Sequence, residues 1–122
     1  MHAPVQSYTE PREIAASLGF LPSADVAACA TYRDAVRLAW EHRTRPLMTQ
    51  ATLAEMCDLY APHVSSYLHP EPIDKQGKRR LDLPAHYIGA FERAVGNHAI
   101  SQYLARVAAL TLMEEVISQR RL

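Results

Sequence analysis

Apolar residues recur at helical spacing along most of this chain. Between residues 23 and 43, Val26, Cys29, Val36 and Trp40 fall near a period of about 3.6 residues, which is typical of an amphipathic helix. Strict alternation of apolar and polar residues, which would indicate strands, never extends beyond a few positions. The pattern therefore predicts an all-α protein.

Proline, glycine and capping residues divide this pattern into about five helices of one compact domain, residues 11–122, which follows a flexible arm at residues 1–10. Pro11 opens a short helix that ends near Leu18. Ser23 is the predicted N-cap of a long helix that continues to His42 or Arg43. The other helices are expected at residues 49–57 and 61–68, with the C-terminal helices at 83–119, the last of them from about 98.

Several polar or small residues are predicted to fix the ends of these helices. Thr49 and Asp82 are expected to act as N-caps, because their side-chain oxygens can accept a hydrogen bond from a first-turn N–H. Asp58 is expected to adopt the left-handed conformation between two short helices. Gly96 is expected to end a helix in the same conformation, and Asn97 to cap the last one.

Residues 48–68 read MTQATLAEMCDLYAPHVSSYL, which predicts two short helices joined by a tight turn. Seven positions follow a T-Q-x-x-L-A pattern, a turn, and then two apolar positions and a serine: Thr49, Gln50, Leu53, Ala54, Leu59, Val64 and Ser65. This segment resembles the lambda-repressor-like (Cro/repressor, XRE-type) helix-turn-helix. The chain departs from that pattern at Asp58, where the family has glycine, and at Tyr60, where it has a serine cap; Pro62 also removes one N–H.

The resemblance implies double-stranded DNA as the partner, with residues 61–68 as the recognition helix in the major groove. The expected contacts of that helix are Tyr60, Ala61, Pro62, His63, Ser65, Ser66 and Tyr67. Thr49 and Gln50, at the start of the preceding helix, are expected to hold a phosphate. A helical hairpin without DNA binding is the alternative for this segment.

Basic residues follow the recognition helix directly. Lys75, Lys78, Arg79 and Arg80 lie within residues 73–82, a predicted basic loop or small hairpin that turns at Gln76-Gly77. Arg43 and Arg45 precede the motif. We expect these six side chains to contact phosphates, or the loop to act as a wing that touches the adjacent minor groove. A solvated loop is the alternative.

The last predicted helix carries more apolar residues than one intramolecular face needs. Ile100, Leu104, Val107 and Leu110 are sufficient for the core of one chain. The remaining apolar residues near its end, Leu112, Met113, Val116 and Ile117, are therefore candidates for a homodimer interface. A dimer suits DNA-binding proteins that read paired half-sites. The alternative is that the N-terminal helices cover this surface within the monomer.

Composition narrows the class of protein further. The 122 residues carry 13 basic and 13 acidic side chains, which excludes a polybasic histone-like protein without excluding a local basic contact face. No apolar run approaches the roughly 20 residues of a membrane span, and no secretory signal is evident in the sequence. Cys29 and Cys57 lie in helical patterns, which indicates free thiols in a reducing bacterial cytoplasm.

The downstream segment, with L-P at residues 83–84, Glu92 and G-N at 96–97, is similar to small regulatory proteins of bacterial prophages. The first hypothesis is therefore a repressor-like transcription regulator of phage or mobile-element origin. The second is a protein-interaction module, such as an antitoxin or a phage-encoded inhibitor, that also autoregulates. Histidine and cysteine spacings favour no metal site, and no catalytic group, cofactor or small-molecule ligand is expected.

Overall fold

A computed structural model describes residues 9–120, and within that range the chain is helical, as the apolar pattern predicts. The seven α-helices of this range are α1 (Pro11–Ser17), α2 (Ser23–Ala27), α3 (Tyr32–Glu41), α4 (Gln50–Cys57), α5 (Ala61–Tyr67), α6 (Ile88–Val95) and α7 (Ala99–Arg120). A short 3-10 helix, Ala85–Tyr87, leads into α6. Most of the predicted arm at residues 1–10 lies outside the described residues.

The long helix expected between Ser23 and Arg43 is wrong, because the chain breaks there into α2 and α3. Thr31 begins α3 with a reciprocal capping box: its hydroxyl accepts the Asp34 N–H at 3.1 Å, and the Asp34 carboxylate accepts the Thr31 N–H at 3.2 Å. These two bonds satisfy helix-end donors that a continuous helix would have used internally. Ser23 is the first residue of α2, and Pro22 occupies the cap position.

The hydrophobic core lies where α3, α4 and α6 meet the first turns of α7. Its largest fully buried side chains are Phe91, Leu53, Ile100, Val36, Val64 and Val95. Helix α3 packs along α7, and α4 packs on both α5 and α6. Burying a side chain of this size contributes roughly 1.5–3 kcal/mol, so this cluster fixes the mutual positions of the central helices.

Two buried polar residues fix the junction between α6 and α7. Gly96 ends α6 in the left-handed conformation, as predicted. The Asn97 side-chain oxygen accepts the Ala99 N–H at 3.2 Å, so Asn97 supports the first turn of α7 from one residue before the cap position, which His98 occupies. Asn97 also donates to the carbonyl oxygen of Ala39 at 2.9 Å, which ties the junction to α3. The Glu92 carboxylate accepts the N–H and hydroxyl of Ser101 at 2.9 and 2.7 Å.

The predicted cap role of Asp82 is wrong, because its carboxylate binds Arg33 and Arg79 instead.

Helix α7 is 22 residues long, and only its first turn is buried in the core. Ala99 and Ile100 are buried, whereas Leu104, Val107 and Leu110, which were expected to complete the core, are all exposed by about two fifths or more. From Leu104 to Arg120 every residue is exposed. The distal part of the helix therefore projects beyond the body of the domain.

The hydroxyl of Tyr32 donates a hydrogen bond of 2.8 Å to the Leu83 carbonyl oxygen and so links α3 to the segment before α6. Burial, together with the nearby carboxylates of Asp82 and Glu92, raises the pKa of Tyr32 from 10.0 to about 12. Because the folded state holds this proton more tightly, its contribution to the free energy of unfolding is full below pH 10 and is lost as pH rises towards 12.

Tyr32→Phe should therefore remove a contribution to the free energy of unfolding that the parent protein has at neutral pH and loses at alkaline pH. This contribution is about 1 kcal/mol after allowance for the half-exposed ring. Urea unfolding of the parent and the variant at pH 9 and pH 11 measures it: the difference between the two proteins should shrink at the higher pH. A difference that stays constant between the two pH values would show that Tyr32 ionises as readily in the folded chain as in the unfolded one.

None of the helices between residues 9 and 120 is long and apolar enough to cross a membrane.

Candidate nucleic-acid interface

Helices α4 and α5 are short and are joined by residues 58–60, as the sequence predicts. Thr49 caps α4, because its hydroxyl accepts the Thr52 N–H at 3.2 Å. Asp58 follows in the left-handed conformation, with φ 55° and ψ 43°, and the Leu59 N–H donates to the Ala54 carbonyl oxygen at 2.8 Å. This turn joins the two helices within three residues and lets α5 pack against α4.

The inner faces of α4 and α5 are apolar and closed. Leu53, Ala54 and Cys57 of α4 are buried, as is Val64 of α5. Burial raises the pKa of the Cys57 thiol, and the nearby Arg93 opposes part of that rise. Both cysteines are free, as predicted; Cys57 is buried, whereas Cys29 is only partly buried and so departs from the expectation of two buried thiols. The small Ala54 side chain allows the backbone of α5 to approach α4 closely.

The outer face of α5 presents Tyr60, Ala61, Pro62, His63 and Ser65, all of them exposed, as the sequence-based list expects. The rings of Tyr60 and His63 meet edge to face with centroids 4.8 Å apart, so the two side chains support each other at the surface. Ser65 donates its hydroxyl to the Pro62 carbonyl oxygen at 3.0 Å.

Two of the expected α5 contacts are used inside the molecule. Tyr67 is only 6% exposed and belongs to the core, so the expectation that it faces outwards is wrong. Its helical position, three residues after Val64, places it on the inner face. The half-buried Ser66 accepts the Leu81 N–H on its hydroxyl at 3.1 Å. This bond fixes the segment after the basic residues against the C-terminal end of α5.

The basic segment folds as the predicted small hairpin. Ile73 and Arg79 form an antiparallel bridge, and the turn between them contains Gly77 with φ 78°. One oxygen of Asp74 accepts the N–H groups of Gln76 and Lys78 at 2.9 and 2.8 Å. These bonds give the turn a defined shape although it is exposed to solvent.

Arg33 connects this hairpin to α5 from beneath. Its guanidinium is 7% exposed and lies between two groups of acceptors. One terminal nitrogen donates to three carbonyl oxygens at the C-terminal end of α5: Ser66 at 2.6 Å, Tyr67 at 3.3 Å and His69 at 3.0 Å. The other donates to three acceptors at the end of the basic hairpin: the Arg80 and Leu81 carbonyl oxygens at 3.4 and 3.0 Å and the Asp82 carboxylate at 3.1 Å.

Sequence reasoning missed this role of Arg33, which lies within the predicted helical period, three residues before Val36. A signal was nonetheless present, since an arginine on the inner side of an otherwise apolar stripe is a buried charge that needs partners. The arginine fork supplies donors in two directions, which suits a helix end and a loop that must be held together.

The basic side chains of the hairpin differ in how free they are. Lys75 and Lys78 are exposed at the tip. Arg79 is also exposed and pairs with Asp82 at 3.3 Å. Arg80 is half-buried, and its Nε atom is buried without a hydrogen-bond partner within residues 9–120. The hairpin therefore offers three outward cations, and Arg80 faces inwards at its base.

The cations that precede α4 also divide into two kinds. Arg43 donates to the carbonyl oxygens of Trp40, Pro46 and Met48 at 3.0, 2.8 and 3.2 Å, and its guanidinium lies 4.1 Å above the Trp40 ring. It therefore closes the loop between α3 and α4, a structural role that was not expected. Arg45 is exposed. Thr49 and Gln50 are exposed at the start of α4, although the Thr49 hydroxyl is already occupied as a cap.

Among the described residues, no three histidine, cysteine, aspartate or glutamate side chains are grouped closely enough to hold a metal ion. Comparison of the chain with protein-family models, with curated proteins and with solved structures finds no match to any of them.

Proposed function

We propose that this chain is a repressor-like, sequence-specific DNA-binding regulator of phage or mobile-element type, which binds its operator as a homodimer. One observation carries the proposal: the buried Arg33 and the bond between Ser66 and Leu81 hold the basic hairpin beside α5, whose outer face is exposed. A helix face with exposed polar groups beside exposed cations is the arrangement that reads base edges while neighbouring charges hold the phosphates.

In this proposal the α4–α5 pair acts as the helix-turn-helix and α5 enters the major groove. His63 and Ser65 supply hydrogen bonds to base edges, and Ala61 and Pro62 contact a thymine methyl group. Gln50 binds a phosphate beside the start of α4. Tyr67, Arg43 and Arg80 are left out of the contact set, because the first lies in the core and the other two are turned towards their own chain.

The phosphate contacts come from the exposed cations Arg45, Lys75, Lys78 and Arg79. Four contacts in each subunit would give the logarithm of the binding constant a slope of about −3.6 against the logarithm of salt concentration, and a paired site would double it. With formal net charge zero, the chain should bind non-specific DNA weakly, so affinity rests on a paired site.

The double variant Lys75→Ala/Lys78→Ala should weaken binding to every DNA sequence and reduce the salt slope by about 2 in each subunit. Gel shifts with the DNA upstream of the chain's own gene, over a series of salt concentrations, measure this slope. Arg12→Ala is the control, because it removes an exposed charge on α1, away from the proposed interface. An unchanged slope in the double variant would exclude the hairpin from the interface.

The variant His63→Ala tests the reading of bases separately. It should reduce the preference for the operator over unrelated DNA by about 1–3 kcal/mol while leaving the salt slope unchanged.

If the parent protein shifts no DNA even at low salt, the regulator is excluded. The second candidate, a protein-interaction module such as an antitoxin or inhibitor, would then use the exposed apolar part of α7.

A further inference from the structure

The tip of the basic hairpin, residues 75–78, has a fixed backbone although all four of its residues are exposed. The Gly77 N–H donates to the Asp74 carbonyl oxygen at 3.0 Å, and the Asp74 N–H donates to the Lys78 carbonyl oxygen at 2.8 Å. These bonds close the turn on itself. The hairpin tip therefore presents its side chains to solvent from a defined frame.

The hairpin tip is positively charged and has one neutral amide between its cations. Lys75 and Lys78 flank Gln76 and Gly77, and no acidic residue occurs between positions 75 and 81. The preceding acid, Asp74, is half-buried, and one of its carboxylate oxygens already accepts the N–H groups of Gln76 and Lys78. A negatively charged ligand can therefore approach the Gln76 amide between two lysines without meeting an exposed carboxylate.

The hairpin tip is also narrow at Gly77. A Cβ atom added there would meet no other atom within 4 Å, so the space beside Gln76 is open. A two-stranded ribbon fits the major groove of DNA, which is about 12 Å wide, but not the minor groove, which is about 6 Å wide. A minor groove can therefore take one side chain from a narrow turn, while the flanking lysines stay level with the phosphates on its two sides.

The base of the hairpin is fixed at the end of α5, where the Leu81 N–H donates to the Ser66 hydroxyl at 3.1 Å. A seven-residue helix such as α5 is about 10 Å long, close to the width of the major groove. The three residues from Ile73 to Gln76 span about 10 Å when extended. With α5 in the major groove, the hairpin therefore begins near the edge of that groove and is long enough to pass the bordering phosphates.

We propose that the hairpin tip enters the minor groove next to the α5 site, where Gln76 gives it a preference for A·T pairs. This contact rests on the DNA binding of the proposed function and adds to it a residue that reads bases. In the minor groove an A·T pair presents only acceptors, adenine N3 and thymine O2, to which the amide donates, whereas a G·C pair adds the guanine 2-amino donor. Narrow A·T-rich minor grooves also carry an enhanced negative potential, which attracts Lys75 and Lys78.

Hydroxyl-radical footprinting on the DNA upstream of the chain's own gene locates this contact. The parent protein should protect the minor groove beside the major-groove site, and the Lys75→Ala/Lys78→Ala protein should lose that protection first. The base pairs at those positions are then made A·T, inosine·cytosine or G·C. Inosine·cytosine has the major-groove groups of G·C but lacks the 2-amino group, so it separates reading in the two grooves.

The parent should bind the A·T and inosine·cytosine DNAs about equally and the G·C DNA about 5- to 10-fold more weakly. Gln76→Ala should reduce this difference to less than about twofold. Gln119→Ala is the matched control, because it removes an exposed amide from α7 and should leave the difference intact. A full loss on G·C DNA in the Gln76→Ala protein would overturn the role of Gln76.

Failure of this contact and failure of the proposed function give different results. A parent protein that protects no DNA refutes both. A parent protein that protects DNA but binds all three base pairs equally refutes the minor-groove contact alone, and shows that the hairpin tip holds phosphates without reading bases.

Discussion

Arg33→Met is expected to cost about 3–5 kcal/mol of unfolding free energy, a large fraction of the stability of a domain of this size. Methionine retains much of the length of the side chain but removes every donor. The carbonyl oxygens at the end of α5 and those after the basic hairpin, together with Asp82, then lose a charged partner inside the protein. Buried acceptors without a partner carry their full desolvation cost.

Arg33→Lys should fall between the parent and the methionine variant. Lysine keeps the charge, but its compact ammonium group cannot donate in two directions at the separation that the guanidinium spans. One of the two groups of acceptors, either at α5 or at the hairpin, would therefore lose its bonds. If the regulator proposal is correct, this variant also binds DNA with a smaller salt slope, because the hairpin is no longer fixed beside α5.

Urea unfolding followed by circular dichroism measures these losses, and Arg37→Met is the matched control on the same helix. Arg37 lies one turn further along α3, makes one bond of 3.3 Å to the Leu68 carbonyl oxygen, and pairs with the exposed Glu41. Its replacement should cost less than about 1 kcal/mol. Equal losses at the two positions would show that the bonds of Arg33 add nothing beyond those of a half-buried arginine.

The contrast between these two arginines indicates what could be read from the sequence. Features decided within a few residues were predictable: the Thr49 cap, the left-handed Asp58, the end of α6 at Gly96 and the small hairpin at residues 73–82. Each depends on one side chain acting on its own backbone or on that of a near neighbour, so the sequence contains all the information required.

Features that depend on distant partners were not predictable in the same way. The pattern of α3 places Arg33 near its apolar stripe, but the acceptors lie 33 to 49 residues away. The break before α3 shows a related difficulty, because the Thr31 capping box competes with a helical period that continues through it. In α5, Tyr67 was assigned outwards by analogy with a DNA-binding pattern, whereas burial of its ring decided its side.

Gly96→Ala is expected to cost about 3 kcal/mol, and two separable causes contribute. Gly96 has φ 78°, a left-handed conformation that costs an alanine roughly 1–2 kcal/mol. A Cβ atom there would also lie 2.6 Å from Oγ1 and 2.7 Å from Cγ2 of Thr44. Thr44 cannot retreat easily, because its N–H donates to the Val95 carbonyl oxygen at 2.9 Å. Overpacking of this kind adds roughly 1–3 kcal/mol.

A double-mutant cycle separates the collision from the backbone strain. Thr44→Ala removes both colliding atoms, so the Gly96→Ala/Thr44→Ala protein should recover the collision part of the loss and keep the strain. Gly77→Ala provides the strain alone, since Gly77 has the same φ of 78° and no atom within 4 Å of the added Cβ. If Thr44→Ala restores none of the lost unfolding free energy, the whole loss comes from backbone strain at the end of α6. In that case Gly96→Ala and Gly77→Ala should destabilise the protein equally.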